Sequence, residues 1–298
     1  MSRIHEALKK AQEQRSLEPP AASPEKAVAS VQPPPPGFTA AKTQPKSAEA
    51  NSEFLRYESL LEQCAKTIWK PEPSVDLFAH AEEGAHGTER LRTLRSRLYQ
   101  VRATRELRKI VVTSALPAEG KTFIACNLAQ IIVRQPDRRV LLIDADMRCP
   151  RMHFALGAPK QPGLTDYLRG DARIEEVVQH GGHHNLCFIA AGAEVSNAGE
   201  LAASHDLKKL LQLVSPIFDW VIIDTPPVLP VSDAVVMADH ADGVLLVVRA
   251  AATHFDDAQK AAREFRNKNL LGVVLNQAEE SKKYGYYSEY YGSAKAKA

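Results

Sequence analysis

The chain has 298 residues, 44% apolar and 25% charged, a composition of soluble globular proteins with room for one large domain or two small ones. A net charge of +2 gives no electrostatic case for nucleic acid as a partner. No run reaches the roughly 18 apolar residues of a membrane span, and the N-terminus lacks an apolar signal core, so the sequence reads as cytoplasmic, with any membrane association supplied by a partner or a weak surface contact.

Residues 1–16 hold a short amphipathic helix. Ile4, Ala7, Leu8 and Ala11 recur at helical spacing with Arg3, Lys9, Lys10 and Arg15 around them. Such a face suits a partner, an anionic membrane or plain solvation. Residues 17–80 read as a proline-rich linker. Eight of the chain's 19 prolines fall before residue 48, including Pro33 to Pro36, a spacer or a ligand for an aromatic groove. A helix is expected at 52–70, ended by Pro71 and Pro73.

A folded domain is expected over 81–277, its first ordered residues near 85. Short apolar runs at Ile110–Thr113, Val140–Ile143, Leu186–Ala190, Trp220–Ile223, Gly243–Val248 and Gly272–Leu275 read as strands covered on both faces. Helical patterns at Lys121–Arg134, Glu200–Val214, Asp233–His240 and Asp256–Lys268 lie between them. The alternation predicts an α/β fold, a mostly parallel sheet with helices on both faces. Four cysteines, Cys64, Cys126, Cys149 and Cys187, have no metal spacing. Cys126 and Cys187 sit among apolar residues and read as small buried hydrophobes.

The first strand runs into Ala115-Leu116-Pro117-Ala118-Glu119-Gly120-Lys121-Thr122 and then a helix, the spacing of a phosphate loop with alanine in its first position. Backbone N–H groups at a helix start attract anions. Gly120 lets phosphate approach, Lys121 can neutralise the β- and γ-phosphates, and Thr122 can ligate Mg²⁺. The nucleotide-contacting set is Ala118, Glu119, Gly120, Lys121, Thr122 and Phe123. Asp144 and Asp146 stand just past the end of a second apolar strand, and Asp224 past a third, in Asp224-Thr225-Pro226-Pro227. A lone Asp after a strand is commonly a cap. Three acids beside a phosphate loop at the carboxyl ends of strands fit Mg²⁺-nucleotide chemistry better.

Residues 278–298 form a polar tail holding Tyr284, Tyr286, Tyr287, Tyr290 and Tyr291, five of the chain's eight tyrosines. Glycines flank them and no apolar partner is near in sequence, so the phenols read as phosphorylation substrates or as a docking tail. Four lysines against three glutamates make the tail 4 − 3 = +1 before its terminal carboxylate. Each phosphotyrosine adds about −1.5 to −2.

The loop, the DADxR element from Asp144 to Arg148 and the DTPP element together resemble the Walker A, A′ and B motifs of bacterial tyrosine kinases, the BY-kinases. The resemblance covers about residues 86–291. It implies a kinase on a P-loop ATPase fold of deviant-Walker-like architecture, with ATP and Mg²⁺ as cofactors. It implies catalytic roles for Lys121, Asp144, Asp146 and Asp224, and a metal shell of Thr122, Asp144, Asp146 and Asp224. One of the two acids Asp144 and Asp146 would take the phenol proton. The tail tyrosines would be autophosphorylated in trans. Glu89-Arg90-Leu91-Arg92-Thr93-Leu94-Arg95 is similar to the family's ExxRxxR helix, which implies a ring-like homo-oligomer with Glu89, Arg92 and Arg95 at the interface. The Pro162–Leu168 stretch also matches the family pattern. The chain looks like the cytoplasmic type whose membrane activator is a separate polypeptide, tied to exopolysaccharide synthesis and export, with a cognate phosphatase. Recruitment to the inner membrane face would follow.

Two departures stand out. The family usually carries glycine where Ala118 stands. Alanine does not take positive φ cheaply, so the loop is expected to pass through a conformation alanine accepts. Family members often have Asn-Pro where this chain has Asn197-Ala198. Asn276, after the last strand, resembles the adenine-contacting asparagine of the wider superfamily, or else is a turn residue. Partition and positioning ATPases share the architecture, but their signature lysine falls at Leu116 here. An ATP-dependent switch and a non-catalytic tyrosine-tail scaffold are the alternative classes.

Overall fold

The computed structural model describes residues 56–73, 86–181, 183 and 185–278. The N-terminal amphipathic stretch, the proline run and the tyrosine cluster lie outside the described residues. The described elements, in chain order, are α1 (Tyr57–Gln63), β1 (Ala65–Lys66), α2 (His86–Thr104), β2 (Lys109–Ser114), α3 (Lys121–Val133), β3 (Val140–Asp144), α4 (Met152–Leu156), α5 (Leu164–Leu168), α6 (Ile174–Val177), β4 (Val178–His180), β5 (Leu186–Ile189), α7 (Ala198–Ala202), α8 (His205–Val214), β6 (Trp220–Asp224), α9 (Asp233–Ala238), β7 (Gly243–Arg249), α10 (Phe255–Glu264) and β8 (Leu270–Asn276).

The strands form one sheet in the order β1-β4-β5-β3-β6-β2-β7-β8. Every pairing is parallel except β4 with β5. All six strands expected from apolar runs are present, and the α/β class is the predicted one. Alternation explains their two-sided burial. In β3, Leu141 and Ile143 join a core beneath α7 to α10, while Val140 and Leu142 join a second core beneath α2, α3 and α4. The sheet order sets the site. Strand β6 lies between β3 and β2, so the carboxyl ends of all three are neighbours, the position where open α/β sheets bind ligands.

Several expectations need correction. The helix expected at 52–70 is the short α1. Cys64 turns extended, and Ala65 and Lys66 pair with Gln179 and His180 of β4. The stretch is not a linker at this point. Leu60 is fully buried, and Tyr57 meets Phe218 edge-on with ring centroids 5.6 Å apart. Arg139 lies 4.3 Å over the Tyr57 ring and pairs with Glu58 at 2.8 Å. The helix expected at Glu200–Val214 is two helices, because Ser204 takes extended backbone and its hydroxyl accepts the Leu207 N–H at 3.3 Å, starting α8 afresh. Strand β8 is not covered on both faces. It ends the sheet, and Val273 and Leu275 are 56% and 60% exposed. The short elements β1, β4 and α4 to α6 are too brief for periodicity to reveal.

Candidate active site

The phosphate loop joins β2 to α3. Its helix starts at Gly120, whose φ of 91° is left-handed, and no side chain caps the first amides of α3. They are left for an anion. The left-handed backbone favours glycine at Gly120, and a Cβ there would stand 2.1 Å from Asn276 Nδ2, so any other residue would displace that side chain from the loop. The expectation for Ala118 is overturned. Its φ is 62°, so an alanine occupies the left-handed region that sequence reasoning assumed the loop would avoid. This costs about 1–2 kcal/mol and persists because the surrounding loop holds it.

Beside the loop opens a cleft of about 690 Å³ whose lining includes Ala118, Lys121, Thr122, Asp146, Arg148 and Pro226. The DTPP segment is pinned to β2. The Thr113 hydroxyl donates to the Pro226 carbonyl at 2.8 Å, and the Thr225 hydroxyl to the Val112 carbonyl at 3.2 Å.

The four residues expected to carry catalysis come together. Lys121 Nζ donates to Asp146 Oδ2 at 2.9 Å. Thr122 Oγ1 donates to Asp224 Oδ2 at 2.6 Å. Asp144 and Asp224 are paired in register on β3 and β6. Burial works against the Lys121 charge, but the Asp224 and Asp146 carboxylates outweigh it and hold the ammonium well above the usual lysine range. Burial, reinforced by Asp224, pushes Asp144 well above the usual carboxylate range. Burial also raises Asp224, to about 6, against the lowering influence of Lys121 and the Thr122 hydroxyl.

The residues expected in the metal shell are engaged as follows. Among the described residues no three Asp, Glu, His or Cys side chains converge to hold an ion. Asp144 accepts backbone N–H groups on both oxygens, from Asp146 at 3.2 Å and Met152 at 3.1 Å. Asp146 accepts Lys121 and the Cys149 N–H. Asp224 differs, because its Oδ1 is buried and has no protein partner. That orphaned oxygen beside the Thr122 hydroxyl is a pair of hard oxygen donors, which suits Mg²⁺.

The other expected residues sit as follows. Phe123 packs against the α2–α3 core and does not line the cleft. Asn276 Nδ2 donates to the Glu119 carbonyl at 2.9 Å, and its Oδ1 accepts the Gln277 N–H. Leu116, where the partition ATPases carry lysine, donates its N–H to Glu119 Oε2. On α2, Glu89 pairs with Arg92 one turn on, and Arg95 Nη1 donates to the Ile131 carbonyl of α3 at 2.8 Å. The tail tyrosines lie outside the described residues.

Sequence reasoning missed two groups. Arg148 reaches the cleft while its guanidinium grips both oxygens of Asp233, at 2.8 and 3.1 Å. The DADxR pattern contained Arg148, but nothing marked Asp233, 85 residues away, as its partner. Thr253, in the β7–α10 turn, donates its hydroxyl to Glu119, and no motif announces it.

A family model described as an AAA domain matches residues 108–265. The tyrosine-protein kinase YwqD of Bacillus subtilis (strain 168) is 35% identical over 216 residues, covering 71% of this chain and 91% of YwqD. The tyrosine-protein kinase Wzc of Salmonella typhimurium is 34% identical over 211 residues, covering 69% of this chain but 29% of Wzc, so the chain spans under a third of that longer relative. Among solved structures, the kinase domain of the Escherichia coli tyrosine kinase ETK superposes with a TM-score of 0.62 at 28% identity, covering 78% of this chain and 95% of that domain.

Proposed function

This chain belongs to the bacterial tyrosine-protein kinases, and from that membership we propose that it is an autokinase that phosphorylates Tyr284, Tyr286, Tyr287, Tyr290 and Tyr291 on a neighbouring copy, in service of exopolysaccharide synthesis and export. The observation that carries the reading is the pairing of Lys121 with Asp146 and of Thr122 with the buried Asp224 beside one cleft, with Asp224 Oδ1 left without a protein partner.

In this reading ATP lays its phosphates on the loop from Ala118 to Phe123, with Asn276 at the adenine. Lys121 stabilises charge on the γ-phosphoryl oxygens. Thr122 and Asp224 would hold Mg²⁺, which when bound neutralises phosphate charge. A tail tyrosine enters from the neighbour, and its phenolic oxygen bonds to the γ-phosphorus as the bond to the β–γ bridging oxygen breaks and ADP leaves. The transition state is loose, so positioning and electrostatics outweigh base strength. Asp146 accepts the phenolic proton, because it lines the cleft and Asp144 does not. Asp144 instead holds the segment bearing Asp146 through its bond to the Asp146 N–H.

Five phosphates would swing the +1 tail by roughly −7 to −10, a reversal of charge that in this reading marks the modified tail for release from the neighbouring copy. The ring contact is assigned to Glu89, Arg92 and Arg95. A separate membrane activator recruits the kinase and a cognate phosphatase resets it. Among the described residues no helix is long and apolar enough to cross a membrane.

The test is mass spectrometry of the purified protein after incubation with Mg²⁺-ATP, beside Lys121→Met. Phosphate on the tail tyrosines of the wild type alone is the expected result. Tail labelling by Lys121→Met at the wild-type level overturns the site. ATP turnover without tail labelling would make the protein a nucleotide switch, and absence of nucleotide affinity a scaffold.

A further inference from the structure

Glu119 precedes the glycine of the phosphate loop, yet alone among residues 117–122 it does not line the cleft. It is 3% exposed. Its Oε2 accepts the Leu116 N–H at 2.8 Å, its Oε1 accepts the Thr253 hydroxyl, and its carbonyl accepts Asn276 Nδ2 at 2.9 Å. The start of the loop, the β7–α10 turn and the end of β8 therefore converge on one residue. A carboxylate facing the cleft would repel a triphosphate, whereas one engaged by two donors outside it does not. The residues on either side of Glu119 are both left-handed, Ala118 at φ 62° and Gly120 at φ 91°. Successive amides around such residues form an anion-binding concavity, and the strain at Ala118 requires that something hold it.

We propose that Glu119 and Thr253 form a latch that sets the conformation of the phosphate loop, so that Thr253 is a positioning residue for the nucleotide's phosphates. The proposal rests on the nucleotide-binding reading of the cleft. Thr253 acts through Glu119. Loss of its hydroxyl leaves one oxygen of a buried carboxylate without its donor and frees the loop to relax out of its left-handed turn. The Arg249 N–H, which reaches the same hydroxyl at 3.3 Å, ties the latch to the end of β7.

Calorimetric titration of ADP and of adenosine into the full chain tests this, using wild type, Thr253→Val, Thr253→Ser, Glu119→Gln and the Thr253→Val/Glu119→Gln pair. The valine variant should bind ADP about tenfold more weakly while adenosine affinity stays within about twofold, a split that general loosening of the fold does not produce. Serine should restore ADP binding. The double variant should be no worse than the weaker single one, because both changes break the same contact. Equal losses for ADP and adenosine, wild-type ADP binding by Thr253→Val, or additive losses in the pair would each overturn the latch. A folded wild-type protein that binds no ADP removes the nucleotide reading itself, a result distinct from any of these.

Discussion

Asp144 and Asp224 are register partners at the ends of adjacent parallel strands, which places two almost wholly inaccessible carboxylates side by side at the carboxyl edge of the sheet. Neighbouring strands are about 4.8 Å apart, and at that spacing two buried like charges disfavour joint ionisation. Burial of Asp224 makes stability depend on pH. Asp224 has a folded pKa of about 6 against an ordinary value of 3.8. Between those values the folded state holds a proton that the unfolded chain has released, so stability falls as pH rises. The penalty is fully present above pH about 6 and is relieved as pH drops towards the unfolded value. Denaturant titrations of the metal-free protein between about pH 4 and pH 7 should show stability rising on acidification, with a shallower slope in Asp224→Asn. An unchanged slope in that variant would assign the effect elsewhere.

The same proton opposes a cation. A divalent ion on Asp224 must displace it. The strengthening of ADP binding by Mg²⁺ should therefore fade as pH falls through about 6, while metal-free ADP binding changes less. Titrations with and without Mg²⁺ across that range check this, and a Mg²⁺ effect that persists well below it would remove Asp224 from the metal.

Ala118 offers a gain-of-stability test. Glycine takes its left-handed backbone without the Cβ penalty of about 1–2 kcal/mol, and the greater freedom of unfolded glycine returns roughly 0.5–1 kcal/mol of that. Ala118→Gly should raise the unfolding midpoint slightly, where a glycine substitution in a loop ordinarily lowers it. A lowered midpoint would contradict the left-handed assignment.

The packing of α1 predicts that residues once read as linker support the fold. Leu60 has no exposure, so Leu60→Ala should cost about 2–5 kcal/mol by leaving a cavity. Equilibrium unfolding measures it. A loss under about 0.5 kcal/mol would show that α1 is dispensable.

On α2 the two arginines should separate. Arg92 is tied only to Glu89 on its own helix among the described contacts, whereas Arg95 bridges to α3 through the Ile131 carbonyl. Arg92→Glu should weaken self-association in light scattering with little change in melting temperature. Arg95→Glu should lower both. Assembly unchanged in both variants would place the ring contact elsewhere.

The six principal strands and the loop, DADxR and DTPP elements were legible in the sequence because each is local. A strand buried on both faces is a continuous apolar run, and a phosphate loop is eight consecutive residues whose types follow from what phosphate requires. The family resemblance rested on the same short stretches. The sequence could not reveal which acid meets which donor. That depends on β6 entering the sheet between β3 and β2, which brings Asp224 to Thr122 across 102 residues and leaves Asp146 for Lys121. Glu119 and Thr253 meet across 134 residues, and Arg148 and Asp233 across 85. Pairings at such separations are set by crossovers and packing, which leave no periodic mark in the chain. The left-handed turn at Ala118 was unreadable for a related reason: local preference opposes it, and the surrounding tertiary contacts decide it.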